Sequence, residues 1–171
     1  IYGCLVGSEM CIRDRDGRES SGIFVGNPIG WLLRNVNSSL ALFKDNGIRS
    51  FSKVLIAIRP GRRNKRFIDV ADKICRHFGA SLTLLNIVSE TDSNQKIKRT
   101  EKSSTELISE TKSKSVVKII KSNNPVEAIS EESASYDLLI LGTPEKDNWI
   151  SVLFGVGEDR FVKKAACSVL R

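Results

Sequence analysis

Histidine, paired cysteine and long apolar runs are scarce in this sequence. Its 171 residues include one histidine, His77, and four cysteines, of which no two form a CxxC pair. We therefore expect neither a structural zinc site nor a Cys/His catalytic pair. No apolar run approaches the roughly 20 residues of a membrane-spanning helix. Scattered thiols are typical of a reducing compartment, so we expect a cytoplasmic protein.

The composition is that of a globular protein with a modest positive charge. Hydrophobic residues make up 40% of the chain, and 27 Lys+Arg against 20 Asp+Glu give a net charge of +7. The basic excess is spread out except in RPGRRNKR, at residues 59–66. An anion cradle is one interpretation, but a solvated loop and first helical turn is the one we favour. No recognition helix or set of stacking aromatics accompanies these residues, so no nucleic-acid partner is predicted.

Short apolar, β-branched runs recur from residue 53 onward and alternate with helical patterns. The runs KVLIAI, SLTLLNIV, SVVKIIKS, DLLILG and CSVL predict five strands, and their continuous hydrophobicity is typical of strands buried on both faces. Strands that alternate with helices predict an α/β fold: a Rossmann-like parallel sheet with helices on both faces. Ligands of such sheets bind at the carboxyl ends of the strands, so the loops after Ile58 and Leu141 are the candidate sites.

Four helices are predicted between these strands. The first is amphipathic and stops at Gly79, which suits a helix C-terminus. Residues 89–114, rich in Ser, Thr, Lys and Glu, predict a mobile loop that leads into a surface helix at 101–112. The third helix has Asn124 as N-cap, Pro125 at its first position and Glu127 at its third. The fourth covers residues 158–164.

An internal repeat indicates how the chain is organised. GNPIGWLLRNVNSSLAL and GVGEDRFVKKAACSVLR, 129 residues apart, share a glycine, an amphipathic helix, a small-residue turn and an apolar strand. We interpret residues 22–48 as the C-terminal remnant of a first domain and residues 51–171 as a second copy with a truncated last strand. Residues 1–21 are interpreted as a doubtful or non-native segment, since their start resembles translated adapter sequence. For the repeat the alternative is chance similarity. For residues 1–21 it is an ordinary, poorly patterned segment.

The second copy resembles the universal stress protein family. The resemblance rests on the order and spacing of KVLIAI, ADKICRHFGASLTLLNIV, NPVEAIS before YDLLILGT, and FVKKAACSVL. It implies a five-stranded parallel sheet with strand order 3-2-1-4-5, pairing of domains through their last strands, and ATP or AMP binding in many members.

The family's nucleotide-binding members carry G-x2-G-x9-G-[ST] after the fourth strand. Here Gly142 and Gly155 match the first and third glycines, but Glu145 stands at the second and Val156 at the hydroxyl position. Binding members also carry an aspartate just after the first strand. In this sequence that position is occupied by Arg59. A carboxylate beside phosphate is repelled, so ordinary ATP binding is predicted to be lost. The resemblance places the degenerate pocket at these residues: Ile58, Arg59, Gly142, Thr143, Gly155, Val156 and Gly157.

No set of residues suited to catalysis can be assembled from the remaining side chains. Cys75 and Cys167 are interpreted as small core residues, and His77 as a helix-surface residue. Asp69 and Asp72 are interpreted as part of a solvated helix face rather than as an acid/base pair. The chain is therefore predicted not to be an enzyme and to need no cofactor or metal.

The predicted function is that of a non-catalytic regulatory or interaction module. It would act by pairing with a second universal-stress-type domain, in the same chain or in a homodimer. Because tandem domains of this type occur attached to membrane transporters, we also expect that the chain is the cytoplasmic tail of a transporter. One alternative is a stress protein that binds ATP or AMP and has at most weak ATPase activity. Another is a fragment of an adenine-nucleotide α-hydrolase-like enzyme, whose catalytic residues would lie elsewhere.

Overall fold

A computed structural model describes residues 10–13, 40–48, 50–58, 64–142 and 164–170 of the chain. Seven strands and three helices lie within them. The strands are β1 (Met10–Arg13), β2 (Leu40–Lys44), β3 (Lys53–Ala57), β4 (Ser81–Val88), β5 (Ser115–Lys121), β6 (Leu138–Leu141) and β7 (Ser168–Leu170). The helices are α1 (Asn64–Phe78), α2 (Asn94–Ile108) and α3 (Pro125–Ser133).

One sheet contains all seven strands, in the order β1-β2-β7-β6-β3-β4-β5. Its last five members are the strands predicted for the second copy, and they are parallel to one another in the predicted order 3-2-1-4-5. The fold class is therefore confirmed. The central strands are the most apolar, and Val54, Leu55 and Ile56 of β3 are wholly buried.

The sheet has two strands besides the five of the second copy, and β2 overlaps the apolar strand predicted at the end of the first repeat unit. β2 lies antiparallel to β7, with Phe43 opposite Leu170 and Lys44 opposite Val169. β1 pairs with β2 in parallel, although the sequence pattern of this segment predicted no element there. The domain boundaries stay predictions, and so does the fourth helix, because residues 14–39 and 143–163 lie outside the described residues.

The two faces of the sheet carry separate cores. Residues of α1, among them Ile68, Ala71 and Cys75, pack on one face with alternate residues of β3, β4 and β6. Ile129 of α3 packs on the opposite face with Leu55, Leu139 and Leu141. Since side chains of a strand alternate between faces, one buried strand supplies both cores. Helices thus cover both faces, as the sequence predicted.

Local signals in the sequence predicted the C-terminus of α1 and the N-terminus of α3. α1 ends at Phe78, and the following Gly79 has a φ of +68°, a left-handed conformation that glycine adopts without strain. At the start of α3 the side chain of Asn124 accepts a hydrogen bond from the backbone N–H of Glu127, and Pro125 is the first helical residue. Both predictions are confirmed.

The prediction for residues 89–114 was wrong in its boundaries. α2 begins at Asn94, seven residues before the predicted start, and ends at Ile108. Ser93 is its N-cap and accepts a hydrogen bond from the backbone N–H of Lys96. The helix is anchored by Ser104, which is 1% exposed and accepts a 2.8 Å hydrogen bond from the amide of Asn86 on β4. The residues before the predicted start, 94–100, are mostly polar and exposed, so no apolar period marks them.

The amino edge of the sheet holds the linker between β2 and β3. Asp137, just before β6, accepts hydrogen bonds from the backbone N–H groups of Ser52 and Lys53 at 2.7 and 2.9 Å. Asn46 donates from its backbone to Oγ of Ser168 and from its side chain to the carbonyl of Cys167. These bonds fix the start of β3 beside β6, and they hold Asn46, two residues after β2, beside β7.

Candidate functional site

Two of the predicted pocket residues follow neighbouring strands at the carboxyl edge of the sheet. Ile58 directly follows β3, and Gly142 directly follows β6. β3 and β6 are neighbours in register, with Ala57 opposite Leu141, so the two residues flank the same gap. The other predicted residues, Arg59, Thr143, Gly155, Val156 and Gly157, lie outside the described residues.

This gap is the topological switch point of the sheet. From β3 the chain crosses to β4 on one side, whereas β6 lies on the other side. In open parallel sheets the connections leave such a point in opposite directions and open a crevice between the strand ends. We call the space flanked by Ile58 and Gly142 the switch-point crevice.

The crevice is lined by an aromatic ring that the motif comparison did not indicate. A Cβ placed on Gly142 would lie 3.6 Å from Cε2 and 3.8 Å from Cζ of Phe67, in the first turn of α1. Phe67 and Ile58 are both partly buried and pack against the core beneath α1. The ring of Phe67 therefore lies beside Gly142.

The basic stretch beside the crevice is partly neutralised. Lys65 donates to the carboxylate of Glu110, with 2.5 Å between Nζ and Oε2. This hydrogen bond and the charge of Glu110 raise the pKa of Lys65 above its usual range. Residues 59–63 lie outside the described part of the chain, so whether they hold an anion stays untested. The favoured interpretation, a solvated surface, agrees with the exposure of Lys65 and Arg66.

Polar loops follow β4 and β5 at the same edge, and their groups bond one another. Oγ of Ser89 donates to Oδ1 of Asn123 at 2.9 Å, and the amide of Asn123 donates to Glu90 at 3.1 Å. Asp92 accepts from the backbone N–H of Ser89 and from Nζ of Lys96. These bonds join the two loops. The amide and carboxylate groups of the cluster are thus already occupied by protein partners.

An open groove lies between the end of β5 and α3. Its volume is about 450 Å³, and its lining residues include Lys121, Glu127 and Glu131. Glu132, at the same groove, forms a 2.6 Å ion pair with Lys118. Carboxylates outnumber cations along this surface, so its electrostatics disfavour a phosphate group.

Asp72 lies within the protein, contrary to the prediction of a solvated helix face. Its residue is 9% exposed, and Oδ1 accepts hydrogen bonds from the backbone N–H groups of Lys112 and Ser113 at 3.0 and 2.8 Å. Burial favours the neutral acid, but the bonds from Ser113 and Lys112, with the charge of Arg76, outweigh it and lower the pKa of Asp72. Asp72 therefore anchors the turn after α2, while Asp69 is exposed as predicted.

Cys75 and Cys167 are core residues, as predicted. Cys75 is wholly buried and Cys167 is 3% exposed, and neither forms a disulfide. Burial raises the pKa of Cys75 to about 11 and also raises that of Cys167. At neutral pH both are therefore thiols, which are poor nucleophiles.

The described residues contain neither a metal-binding cluster nor a helix that could span a membrane. Within them, no three His, Cys, Asp or Glu side chains come together in a way that would hold a metal ion. None of the helices described there has both the length and the apolarity that crossing a bilayer requires.

Comparison with known proteins identifies the family. The model of the Universal stress protein family matches residues 50–171, which is most of the chain. The chain belongs to the universal stress protein family. This agrees with the resemblance of the second copy and with the strand order of its five parallel strands. No curated protein matches the chain.

Solved universal stress proteins share the fold at low sequence identity. One from Archaeoglobus fulgidus DSM 4304 is 16% identical, with a TM-score of 0.65 over 95% of this chain and 59% of its own. A putative one from Pseudomonas aeruginosa UCBPP-PA14 is 13% identical, with a TM-score of 0.61 over 95% of this chain and 62% of its own. An Archaeoglobus fulgidus protein in complex with dAMP is 14% identical, with a TM-score of 0.54 over 71% and 97%. This chain thus spans about three fifths of the length of the first two proteins.

Proposed function

We propose that the chain is a non-catalytic regulatory module that works through the pairing of two universal-stress-type domains along their last strands. The observation that carries the proposal is the antiparallel pairing of β2 with β7. β7 is the last strand of the domain that matches the family, and β2 belongs to the segment that the repeat assigns to an earlier copy. The partner strand is therefore supplied by the same chain.

Side-chain contacts support pairing within one chain. The ring centroids of Phe43 on β2 and Phe51 in the linker are 6.5 Å apart, and those of Phe51 and Phe78 on α1 are 4.9 Å apart, all edge to face. Such geometry is favourable for aromatic pairs. Together with the two bonds of Asn46, the rings tie β2 and the linker to the domain.

Hydrogen exchange on the full chain tests this pairing. We expect Phe43→Pro to raise the exchange rate of the β7 amides that face β2, because proline interrupts the ladder. Phe43→Leu is the matched control, since it keeps the backbone N–H and most of the apolar volume. Unchanged exchange in Phe43→Pro, with the amides of Leu55 and Ile56 still protected, would exclude the pairing as a structural element of the protein.

A second candidate function is nucleotide binding. The fold shared with the dAMP complex of the Archaeoglobus protein favours it, whereas Glu145 and Val156 in the glycine motif oppose it. Calorimetric titration of the chain with ATP or AMP, each with and without Mg²⁺, decides between the two. Micromolar affinity would replace our first proposal by a nucleotide-binding stress protein. The absence of heat at millimolar nucleotide would support the first.

The proposal also places the module in the cytoplasm, tethered to a membrane transporter. Its support is the tandem arrangement, which occurs in transporter tails of this family. The complete reading frame is the test, because a parent protein without membrane spans would contradict the tether. The pairing proposal would stand in either case, since it depends only on contacts within this chain.

A further inference from the structure

The linker between β2 and β3 contains Asn46 directly before Gly47, and no other asparagine of the sequence is followed by glycine. Asparagine in this setting is chemically reactive, because the backbone nitrogen of the next residue can attack the side-chain carbonyl carbon and close a five-membered ring. Glycine favours the attack, since it carries no side chain that would shield the nitrogen. The sequence thus contains a candidate deamidation site in the linker that follows β2.

The structure leaves this pair of residues open to solvent. Asn46 and Gly47 are both exposed and lie outside the helices and strands. Gly47 has a φ of +88°, which glycine adopts without strain, and a Cβ built on it would meet nothing within 4 Å. The open space beside Gly47 gives water access to the peptide bond that takes part in the reaction.

A carboxylate already accepts a hydrogen bond from the attacking nitrogen. The backbone N–H of Gly47 donates to Oδ1 of Asp45 at 2.8 Å. A general base takes a proton at this kind of distance. Because all the reacting groups belong to one short segment, no entropy is lost in bringing them together. Asp45 is therefore placed to take the proton of Gly47 as the nitrogen attacks.

We propose that Asn46 is a site of spontaneous deamidation whose conversion releases the linker from β7. The nitrogen of Gly47 forms a bond to the side-chain carbonyl carbon of Asn46, and its proton passes through Asp45 to the amide group, which leaves as ammonia. Water then opens the succinimide ring at either of its carbonyl carbons. The products are aspartate and isoaspartate at position 46, and water is the only co-reactant.

Conversion would remove one of the two bonds that Asn46 makes to the start of β7. In the natural chain its amide donates to the carbonyl of Cys167 at 2.9 Å, and its backbone N–H donates to Oγ of Ser168 at 3.0 Å. An ionised carboxylate has no proton to donate, so two acceptor oxygens would face each other at Cys167. The isoaspartate form also adds a methylene group to the backbone. The release rests on the β2–β7 pairing of the proposed function, whereas the chemical conversion does not.

Ageing of the full chain tests the modification. We would incubate the folded protein at neutral pH in water labelled with heavy oxygen, and locate the label by mass spectrometry of its peptides. Asn123 is an internal control, because it is exposed but is followed by another asparagine. Conversion at Asn46 is expected to be at least about tenfold faster than at Asn123, which corresponds to about 1.4 kcal/mol of activation free energy.

Two variants separate the chemistry of the ring from that of the base. Asn46→Gln should not convert on the same timescale, because its longer side chain would have to close a six-membered ring. Asp45→Asn should slow conversion at Asn46, since it replaces the carboxylate by a much weaker base. An unchanged rate in Asp45→Asn would overturn the assigned role of Asp45.

Hydrogen exchange on the aged protein tests the release. The β7 amides are expected to exchange faster after conversion, and Asn46→Asp should reproduce this change without ageing. The proposal is overturned if Asn46 in the folded chain converts no faster than Asn123, or if the converted protein keeps the exchange rates of fresh protein at β7. The label at position 46 is measured independently of the pairing, and Phe43→Pro is compared with fresh protein, so the two proposals fail separately.

Discussion

The side-chain amide of Asn46 donates a 2.9 Å hydrogen bond to the backbone carbonyl of Cys167. These residues lie 121 positions apart in the sequence, one just after β2 and the other just before β7. The same asparagine also donates from its backbone to the buried Ser168. One residue of the linker therefore holds the strand pair on which the proposed domain pairing depends.

Replacing Asn46 by alanine should weaken this attachment without unfolding the domain. The loss of one partly buried hydrogen bond is expected to cost about 0.5–1.5 kcal/mol of unfolding free energy. Urea denaturation measures this cost, and hydrogen exchange should show faster exchange at β2 and β7. Gln95→Ala on the exposed surface of α2 is the control. Equal stability of the two variants would show that the Asn46 bond contributes nothing.

Removing the charge of Asp72 should destabilise the protein and change its response to acid. In Asp72→Asn the backbone N–H groups of Lys112 and Ser113 lose a charged acceptor, which is expected to cost about 1–3 kcal/mol at pH 7. Asp69→Asn, on an exposed position of the same helix, is the matched control and should cost much less.

The pH dependence of this effect has a defined sign. Because the pKa of Asp72 is lowered in the folded state from its ordinary value of 3.8, its stabilising contribution is fully present above about pH 4 to 5. It is lost as the pH falls through the folded-state pKa. Denaturation midpoints measured from pH 7 to pH 2 should therefore converge for the natural chain and Asp72→Asn. A difference that grows in acid would contradict this assignment.

Asn86 and Ser104 should behave as a coupled pair. Each is almost fully buried, and the amide of Asn86 donates to Oγ of Ser104 at 2.8 Å. Substituting either residue by alanine leaves the other without its partner, which costs about 1–3 kcal/mol. The double alanine variant should lose less stability than the sum of the single losses. Strict additivity in a double-mutant cycle would show that the two residues do not interact.

The N-cap of α3 offers a prediction about local helix stability. Asn124→Ala removes the acceptor for the backbone N–H of Glu127 and is expected to cost about 0.5–2 kcal/mol, whereas Asn124→Ser keeps an acceptor and should cost little. Thermal unfolding of the two variants provides the comparison. If serine is as damaging as alanine, the cap bond is not the reason for the asparagine.

The sequence was sufficient for the parts of the fold that depend on local chemistry. Continuous apolar runs such as KVLIAI become strands because both of their faces are covered, and Asn124 and Gly79 mark helix ends through their own backbone preferences. The order of the five parallel strands came from the family resemblance, and the structure confirms it.

Contacts between distant segments could not be predicted from the pattern. The start of α2 was missed because its first residues are polar and mostly exposed, so no apolar period marks them. Asp72 was misjudged because its partners arrive from a turn 40 residues further along the chain. At the candidate site the glycine motif stays a prediction, whereas the approach of Phe67 to Gly142 is a tertiary contact that no motif encodes.

The antiparallel direction of β2 places its end and the candidate site at opposite edges of the sheet. β3 and β6 end at one edge of the sheet, whereas β2 runs the other way and ends at the opposite edge, beside Asn46. A small molecule held at the ends of β3 and β6 therefore cannot also touch the end of β2. In the proposed pairing, the β6–β7 and β2–β7 ladders are the part of the sheet that joins the candidate site to β2.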